Sequence, residues 1–262
     1  MKKVLFFGGD KRSVTAFETL KKSGFSVESR GLFRGDNGDI NKADIIVLPV
    51  PSTKDGKTVY SPLTGESILL DYIKENVGGR TVITANYDLG ENTVDIMKLD
   101  GFAYLNAVPT AEGAIAYAID NTPFTLWKSR VLVIGNGRVA KVLISRLEAF
   151  RCLITVSARK FKDFALLDTE NIKYIDTSKV KETAGSFDII FNTVDARLFG
   201  SPGELQNALL IDLSSMGCLD FSQVEGCAAK AVKLPALPGK TAPETAGKIY
   251  ADTLKTVINL QT

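Results

Sequence analysis

The stretch Val131-Leu132-Val133-Ile134-Gly135-Asn136-Gly137-Arg138-Val139-Ala140 decides the fold. A short β-branched run enters Gly135-x-Gly137-x-x-Ala140, and Val139, Val142, Leu143, Leu147 and Phe150 then keep helical spacing. Strand, glycine turn and helix in that order make a dinucleotide-binding turn. Gly135 permits the tight turn, Gly137 lets the backbone approach a pyrophosphate, and Ala140 lets the helix pack closely on the strand. The helix start adds N–H groups and a partial positive charge for the phosphates. Gly135, Asn136, Gly137, Arg138 and Val139 are therefore the expected phosphate-binding residues.

A second strand, Leu153-Ile154-Thr155-Val156, follows at once and bears on the choice of cofactor. An NAD-selective site places Asp or Glu about 20 residues beyond the first glycine, on the ribose 2′-hydroxyl. Here the strand ends in Ser157-Ala158-Arg159-Lys160, with Ser157 in the acidic slot. A hydroxyl and two cations suit a 2′-phosphate, which guanidinium binds through paired charge-assisted hydrogen bonds. The expected cofactor is NADP, with NAD as the alternative. Asn192 and Thr193, after a later strand, are expected to line the nicotinamide side.

Working outward, the rest of the chain alternates strand and helix signals. Strands are predicted at Val4–Phe7, Phe25–Ser29, 44–48, Thr81–Thr84 and Phe102–Leu105, and helices at Val14–Lys22, Ile68–Asn76 and Thr93–Leu99. Pro109 is predicted to open a helix, where its missing N–H costs nothing, with Ala111, Ala114, Ile115, Ala118 and Ile119 as its apolar stripe. Later strands are expected at 172–175, 188–191, 209–213 and 229–234, and a last helix from about Pro243. Such βα alternation gives doubly wound parallel sheets with helices on both faces. The predicted fold is α/β: two such domains, the second a Rossmann domain, with an interdomain cleft. Residues 1–122 form the first domain with its linking helix, 123–240 the Rossmann domain, and 241–262 a helix packing back towards the first.

Composition bounds the chemistry. The chain has 262 residues, enough for two domains, and 32 basic against 30 acidic residues leave +2. That balance gives no electrostatic reason for a nucleic-acid partner, and no segment approaches about 18 uninterrupted apolar residues, so no membrane span is expected. The apolar run Val4–Phe7 is too short for a secretory leader. Cys152, Cys218 and Cys227 show no metal spacing and read as thiols of a reducing cytoplasm. There is no histidine, which excludes Ser-His-Asp hydrolysis, His-ligated metals and a His base. Proton transfer falls to Lys, Asp, Glu, Tyr, Cys or water.

Four strings then stand in a familiar order: Gly8-Gly9-Asp10-x-Arg12, Asn106-Ala107-Val108-Pro109-Thr110-Ala111-Glu112-Gly113, Gly135-x-Gly137-Arg138, and Leu237-Pro238-Gly239-Lys240-Thr241-Ala242-Pro243-Glu244-Thr245-Ala246-Gly247. Together they resemble the dipicolinate synthase A chain family, over essentially the whole sequence. The chain departs in carrying Ala140 where the third glycine is expected and in being somewhat short. The resemblance implies a cytoplasmic enzyme of the mother cell of a spore-forming bacterium, making dipicolinate in sporulation. It also implies a heteromeric complex with a flavoprotein-like B subunit. The substrate is then dihydrodipicolinate, or its hydroxylated tetrahydro precursor. Oxidising dihydrodipicolinate to an aromatic pyridine removes one hydride and one proton, chemistry that requires no histidine; the hydroxylated precursor must first lose water, which a Lys or carboxylate could assist.

A dicarboxylate needs donors. Lys11 and Arg12, past the first strand, are the leading cations, although an exposed helix-start pair is the plainer reading. Pro109 and Thr110 in a first helical turn, Ser52 and Thr53 at a strand end, Ser215, and Lys240 before the last helix complete the substrate-binding candidates. Asp10, Arg12 and Glu112 are the candidate catalytic residues, the two carboxylates as proton acceptors. Two other readings share the pattern: a nucleotide-sensing regulatory protein without turnover, and an oxidoreductase like shikimate or methylene-folate dehydrogenase.

Overall fold

The computed structural model describes residues 2–224 and 230–260. The chain divides into two compact units, Met1–Asn106 with Gly239–Thr262, and Ala107–Pro238.

In the first unit, β1 (Lys3–Phe7) is buried along Val4–Phe7, as a parallel strand covered on both faces must be. Helix α1 (Lys11–Lys22) starts where the Asp10 carboxylate accepts from the Arg12 N–H, and it buries Ala16, Phe17 and Leu20. There follow β2 (Ser26–Arg30), β3 (Ile45–Val47), α2 (Leu70–Asn76), β4 (Thr81–Thr84) and β5 (Thr93–Asp95). They form a parallel sheet in the order β2-β1-β3-β4-β5. Two sequence expectations fail at its edge. Thr93–Leu99 is not a helix: its β-branched start pairs with β4, Val82 opposite Thr93, and Asp95 then caps a single turn at Ile96–Lys98. Phe102–Leu105 is not a strand, because α3 (Asp100–Asn121) has already begun. Within that run Phe102 is buried while Tyr104 and Leu105 are exposed. Pro109 therefore lies inside α3, where it withholds an N–H from the carbonyl of Leu105 rather than opening the helix.

The second unit is built on β6 (Arg130–Ile134), α4 (Arg138–Ala149), β7 (Leu153–Ala158), α5 (Phe161–Thr169), β8 (Lys173–Asp176), α6 (Val180–Thr183), β9 (Ile189–Asn192), β10 (Leu209–Asp212) and β11 (Lys230–Lys233). All neighbours are parallel, in the order β11-β10-β9-β6-β7-β8. Val131, Val133 and Phe191 enter one core, with α4 and the alanines of α3. Leu132, Ile134 and Ile190 enter the other. Consecutive strand residues thus serve opposite faces of a covered sheet. The winding reverses between β6 and β9, and ligands of open α/β sheets bind at the strand carboxyl ends beside such a reversal.

The chain ends in α7 (Leu237–Thr241) and α8 (Pro243–Leu260). Within the first unit α8 buries Ala246, Tyr250, Ala251 and Leu254. The Tyr250 hydroxyl donates to the Leu48 carbonyl at 2.6 Å. Burial pushes the Tyr250 phenol well above its ordinary range. No helix among the described residues is long and apolar enough to cross a membrane. Cys227 and the expected strand start at Ala229 lie outside the described residues.

Candidate functional site

The turn after β6 is shaped by one glycine and left open at another. Gly135 sits at φ +102°, and its N–H donates to the Ser157 carbonyl at 2.9 Å, tying the turn to β7. A Cβ on Gly135 would stand 2.6 Å from Val194 Cγ1 and 2.7 Å from Thr193 Oγ1. Thr193 closes the turn from β9: its N–H and its hydroxyl both donate to the Ile134 carbonyl, at 3.0 and 2.8 Å. Gly137 is the N-cap of α4, and nothing lies within 4 Å of where its Cβ would be. Lys141 is the first N–H to reach a helix carbonyl, that of Gly137 at 3.0 Å. The N–H groups of Val139 and Ala140 therefore precede the helical ladder, beside that open space. Gly137 and Arg138 are exposed and Asn136 is half-buried, its amide donating to Asp163 of α5 at 3.4 Å. These residues fit a dinucleotide pyrophosphate: open approach at Gly137, helix-start donors behind it, and no acidic side chain within the turn itself.

The end of β7 differs from the sequence expectation in one residue. The strand continues to Ala158, so Ser157 is still inside the sheet. It is 0% exposed, with its hydroxyl 3.3 Å from that of Thr177. Ser157 therefore does not present itself to a ribose. Arg159 and Lys160 do emerge, both exposed, and among the described residues neither side chain has an ion-pair or hydrogen-bond partner.

Asn192 is also corrected, from a lining residue to an internal one. It and Asp212, at the ends of β9 and β10, are both 0% exposed. The Asn192 amide donates to Asp212 at 3.0 Å and to the Val194 carbonyl at 2.9 Å, and its oxygen accepts from the Val194 N–H at 3.2 Å. Asp212 accepts further N–H bonds from Ser214 at 2.8 Å and Cys218 at 2.5 Å. Burial acts to raise the Asp212 pKa, but these donors outweigh it and hold the carboxyl below its ordinary range. The Cys218 thiol goes the other way, pushed far up by burial first and then by the Asp212 charge. The sequence reading passed over Asp212; the available signal was an acid closing the apolar run Leu209-Leu210-Ile211. Ser215 is exposed, and its N–H is held by Asp195 at 2.6 Å while its carbonyl accepts from Lys233, also at 2.6 Å.

In the first unit, Arg12 is not a free cation. It is 5% exposed, and its Nε and Nη2 grip the Asp10 carboxylate at 3.0 and 2.7 Å while Nη2 also donates to the Val50 carbonyl. Asp10 is thus both helix cap and counter-ion. Gly239 lies against the pair: a Cβ there would be 2.8 Å from Arg12 Nε and 3.0 Å from Asp10 Oδ2. This contact brings the Lys240 segment beside Asp10 and Arg12, and both Lys11 and Lys240 are exposed. Ser52 is buried, with its hydroxyl donating to the Pro49 carbonyl and accepting from the Ala85 N–H at 2.8 Å. The Thr53 hydroxyl is occupied by Asp55 and the Gly56 N–H. In the second unit, Thr110 and Glu112 fall in the interior of α3, so no helix-start donors surround them. Glu112 is exposed and faces Arg146 at 3.5 Å.

Two parallel-sheet units, the second with a glycine turn at its winding reversal, define the class: the α/β fold of dehydrogenases. A transhydrogenase from Sinorhizobium meliloti has this fold, with a TM-score of 0.67 over 98% of this chain and 94% of that one at 14% identity. Residues 3–87 match the family model for the N-terminal domain of the dipicolinate synthase A subunit. The dipicolinate synthase A subunit of Bacillus subtilis (strain 168) is 25% identical over 283 aligned positions, 98% of this chain and 95% of that protein. The crystal structure of the dipicolinate synthase A subunit from Bacillus halodurans gives a TM-score of 0.86 at 28% identity, covering 98% of this chain and 97% of that one. In particular, then, the chain resembles the A subunit of dipicolinate synthase along its whole length.

Proposed function

We propose that the chain is an NADP-linked dehydrogenase that oxidises dihydrodipicolinate, or its hydroxylated tetrahydro precursor once that has lost water, to dipicolinate. It acts as the A subunit beside a flavoprotein-like B subunit, in the mother-cell cytoplasm of a sporulating bacterium. The observation that carries this reading is the open turn at Gly135–Arg138, with unpartnered Arg159 and Lys160 at the next strand end. Whole-length similarity to the dipicolinate synthase A subunit supports the substrate.

When bound, NADP supplies the hydride acceptor. The Gly137 backbone and the N–H groups of Val139 and Ala140 hold its pyrophosphate, and Arg159 with Lys160 holds the 2′-phosphate. Thr193 sets the floor of the turn through its two bonds to the Ile134 carbonyl. On the substrate side, Lys11 and Lys240 supply exposed ammonium groups for the ring carboxylates. Arg12 offers Nη1, the edge that it does not use on Asp10 or Val50. Asp10, gripped by the Arg12 guanidinium, is the carboxylate assigned to the departing proton. Aromatisation supplies the driving force, so the protein's task is to position and to exclude water.

The test mixes the purified chain, with and without the B subunit, with freshly generated dihydrodipicolinate and either NADP⁺ or NAD⁺. Reduced nicotinamide is followed by absorbance, and dipicolinate in parallel. The proposal expects reduction matched by dipicolinate and faster with NADP⁺. Arg159→Ala should weaken NADP binding about 10- to 100-fold and leave NAD unchanged, the loss typical of a charge-assisted hydrogen bond. Cofactor binding without turnover in any combination would overturn the dehydrogenase and leave a nucleotide-binding regulator.

A further inference from the structure

Phe161 is 85% exposed, the most exposed large apolar side chain among the described residues. It is the first residue of α5, directly after Arg159 and Lys160. The helix does not lack uses for aromatic rings. Phe164, one turn on, stacks on Tyr174 with centroids 5.1 Å apart and packs against the core that holds Leu167. Phe161 joins neither. Its turn of α5 is tied to the glycine loop, since Asp163 accepts from the Asn136 amide at 3.4 Å. An uncovered aromatic face thus stands two residues before the helix residue that meets the loop read as the pyrophosphate site, next to two unpartnered cations.

Resting on the dinucleotide reading above, we propose that Phe161 is the stacking platform for the adenine of the cofactor and sets affinity at its adenosine end. A flat heteroaromatic base is the ligand chemistry that matches this arrangement. It covers an exposed ring without requiring hydrogen-bond partners, and a phosphorylated ribose places its charge on the neighbouring cations. An apolar protein partner would have to cover Arg159 and Lys160 as well, leaving two desolvated charges.

Calorimetric titration of the full chain with ADP and with 2′,5′-ADP tests this. Phe161→Ala should weaken both about 5-fold or more, the low end of base–aromatic stacking. Phe161→Tyr should restore binding and Phe161→Leu should not, because the flat ring and not the apolar area does the work. Arg159→Ala should weaken 2′,5′-ADP selectively, so the two residues separate in the ratio of the two ligands. In turnover, Phe161→Ala should raise KM for the cofactor and leave kcat unchanged. Equal binding by Phe161→Ala and the unaltered chain overturns the proposal while the dinucleotide reading stands. If the unaltered chain binds neither ADP, 2′,5′-ADP nor NADP, both fall. Exposure protects the test from misfolding, because surface substitutions of this kind usually leave stability nearly unchanged.

Discussion

Gly135 and Gly137 stand two residues apart in one turn, yet alanine should act on them in opposite ways. At Gly135 the backbone is at φ +102°, and a Cβ would lie 2.6 Å from Val194 Cγ1 and 2.7 Å from Thr193 Oγ1. Left-handed backbone costs an L-residue about 1–2 kcal/mol, and forcing a methyl into a packed site about 1–3 kcal/mol more. Gly135→Ala should therefore lose about 2–5 kcal/mol, and at about 2–4 °C per kcal/mol the Tm should fall by roughly 10 °C. At Gly137 the φ is −83° and the space is open. Gly137→Ala gives up only a favoured helix-cap residue, about 1 kcal/mol or less. Its methyl instead enters the approach of the pyrophosphate, and NADP binding should weaken by at least about 10-fold. Thermal unfolding by circular dichroism and calorimetric titration with NADP measure the two effects. The reasoning is refuted if Gly135→Ala melts within about 2 °C of the unaltered chain, well inside the shift worked out above. It is equally refuted if Gly137→Ala binds NADP undiminished.

Removing the buried carboxylate with Asp212→Ala should cost about 2–4 kcal/mol by urea unfolding near neutral pH, since the amide of Asn192 and the N–H groups of Ser214 and Cys218 lose their acceptor. Because the folded pKa of Asp212 is lowered, its contribution is present above the ordinary Asp pKa and is lost as pH falls through the folded value; the gap between variant and unaltered chain should shrink in acid. Cys218, buried and pushed up in pKa, should resist alkylation in the native state and react on unfolding, read by mass spectrometry of the labelled peptide. Arg12→Ala should destabilise the first unit by about 3 kcal/mol, because it strips the counter-ion from Asp10; Arg12→Ala combined with Asp10→Ala should recover part of that loss, measured in the same urea titrations.

The fold was legible where apolar period and punctuation agree. The run Val131–Ile134 followed by Gly135 gave a buried strand and its turn, and Asp188–Phe191 and Leu209–Leu213 read as buried strands for the same reason. It failed between 93 and 109, where the local signals conflict. Thr93-Val94-Asp95 is too short to show a period, and sheet pairing with Val82–Thr84 decided it. Phe102–Leu105 carries β-favouring side chains inside a helix that buries Phe102 and leaves Leu105 outside. Pro109 drew the helix start to itself because proline is favoured at a first turn, whereas α3 had begun at Asp100.

The site was harder to read for a different physical reason. A loop at a strand end must satisfy its own polar backbone, and its short side chains are the nearest partners. Ser52 holds Ala85, Thr53 holds Gly56, Asn192 holds Val194, and Asp10 holds both the start of α1 and Arg12. Each has the residue type of a ligand-binding group, and each is already engaged in the loop that carries it. The side chains left over are long or aromatic: Lys11, Arg159, Lys160, Phe161 and Lys240 all reach past the local hydrogen bonds into solvent. On the function proposed above, recognition would fall to backbone N–H groups at Gly137–Ala140 and to those protruding side chains. The hydroxyls and amides of the loops fix the frame on which they stand. Among the sequence candidates, Ser52, Thr53 and Asn192 are engaged in holding loop backbone, while Lys11, Arg159, Lys160 and Lys240 stay exposed.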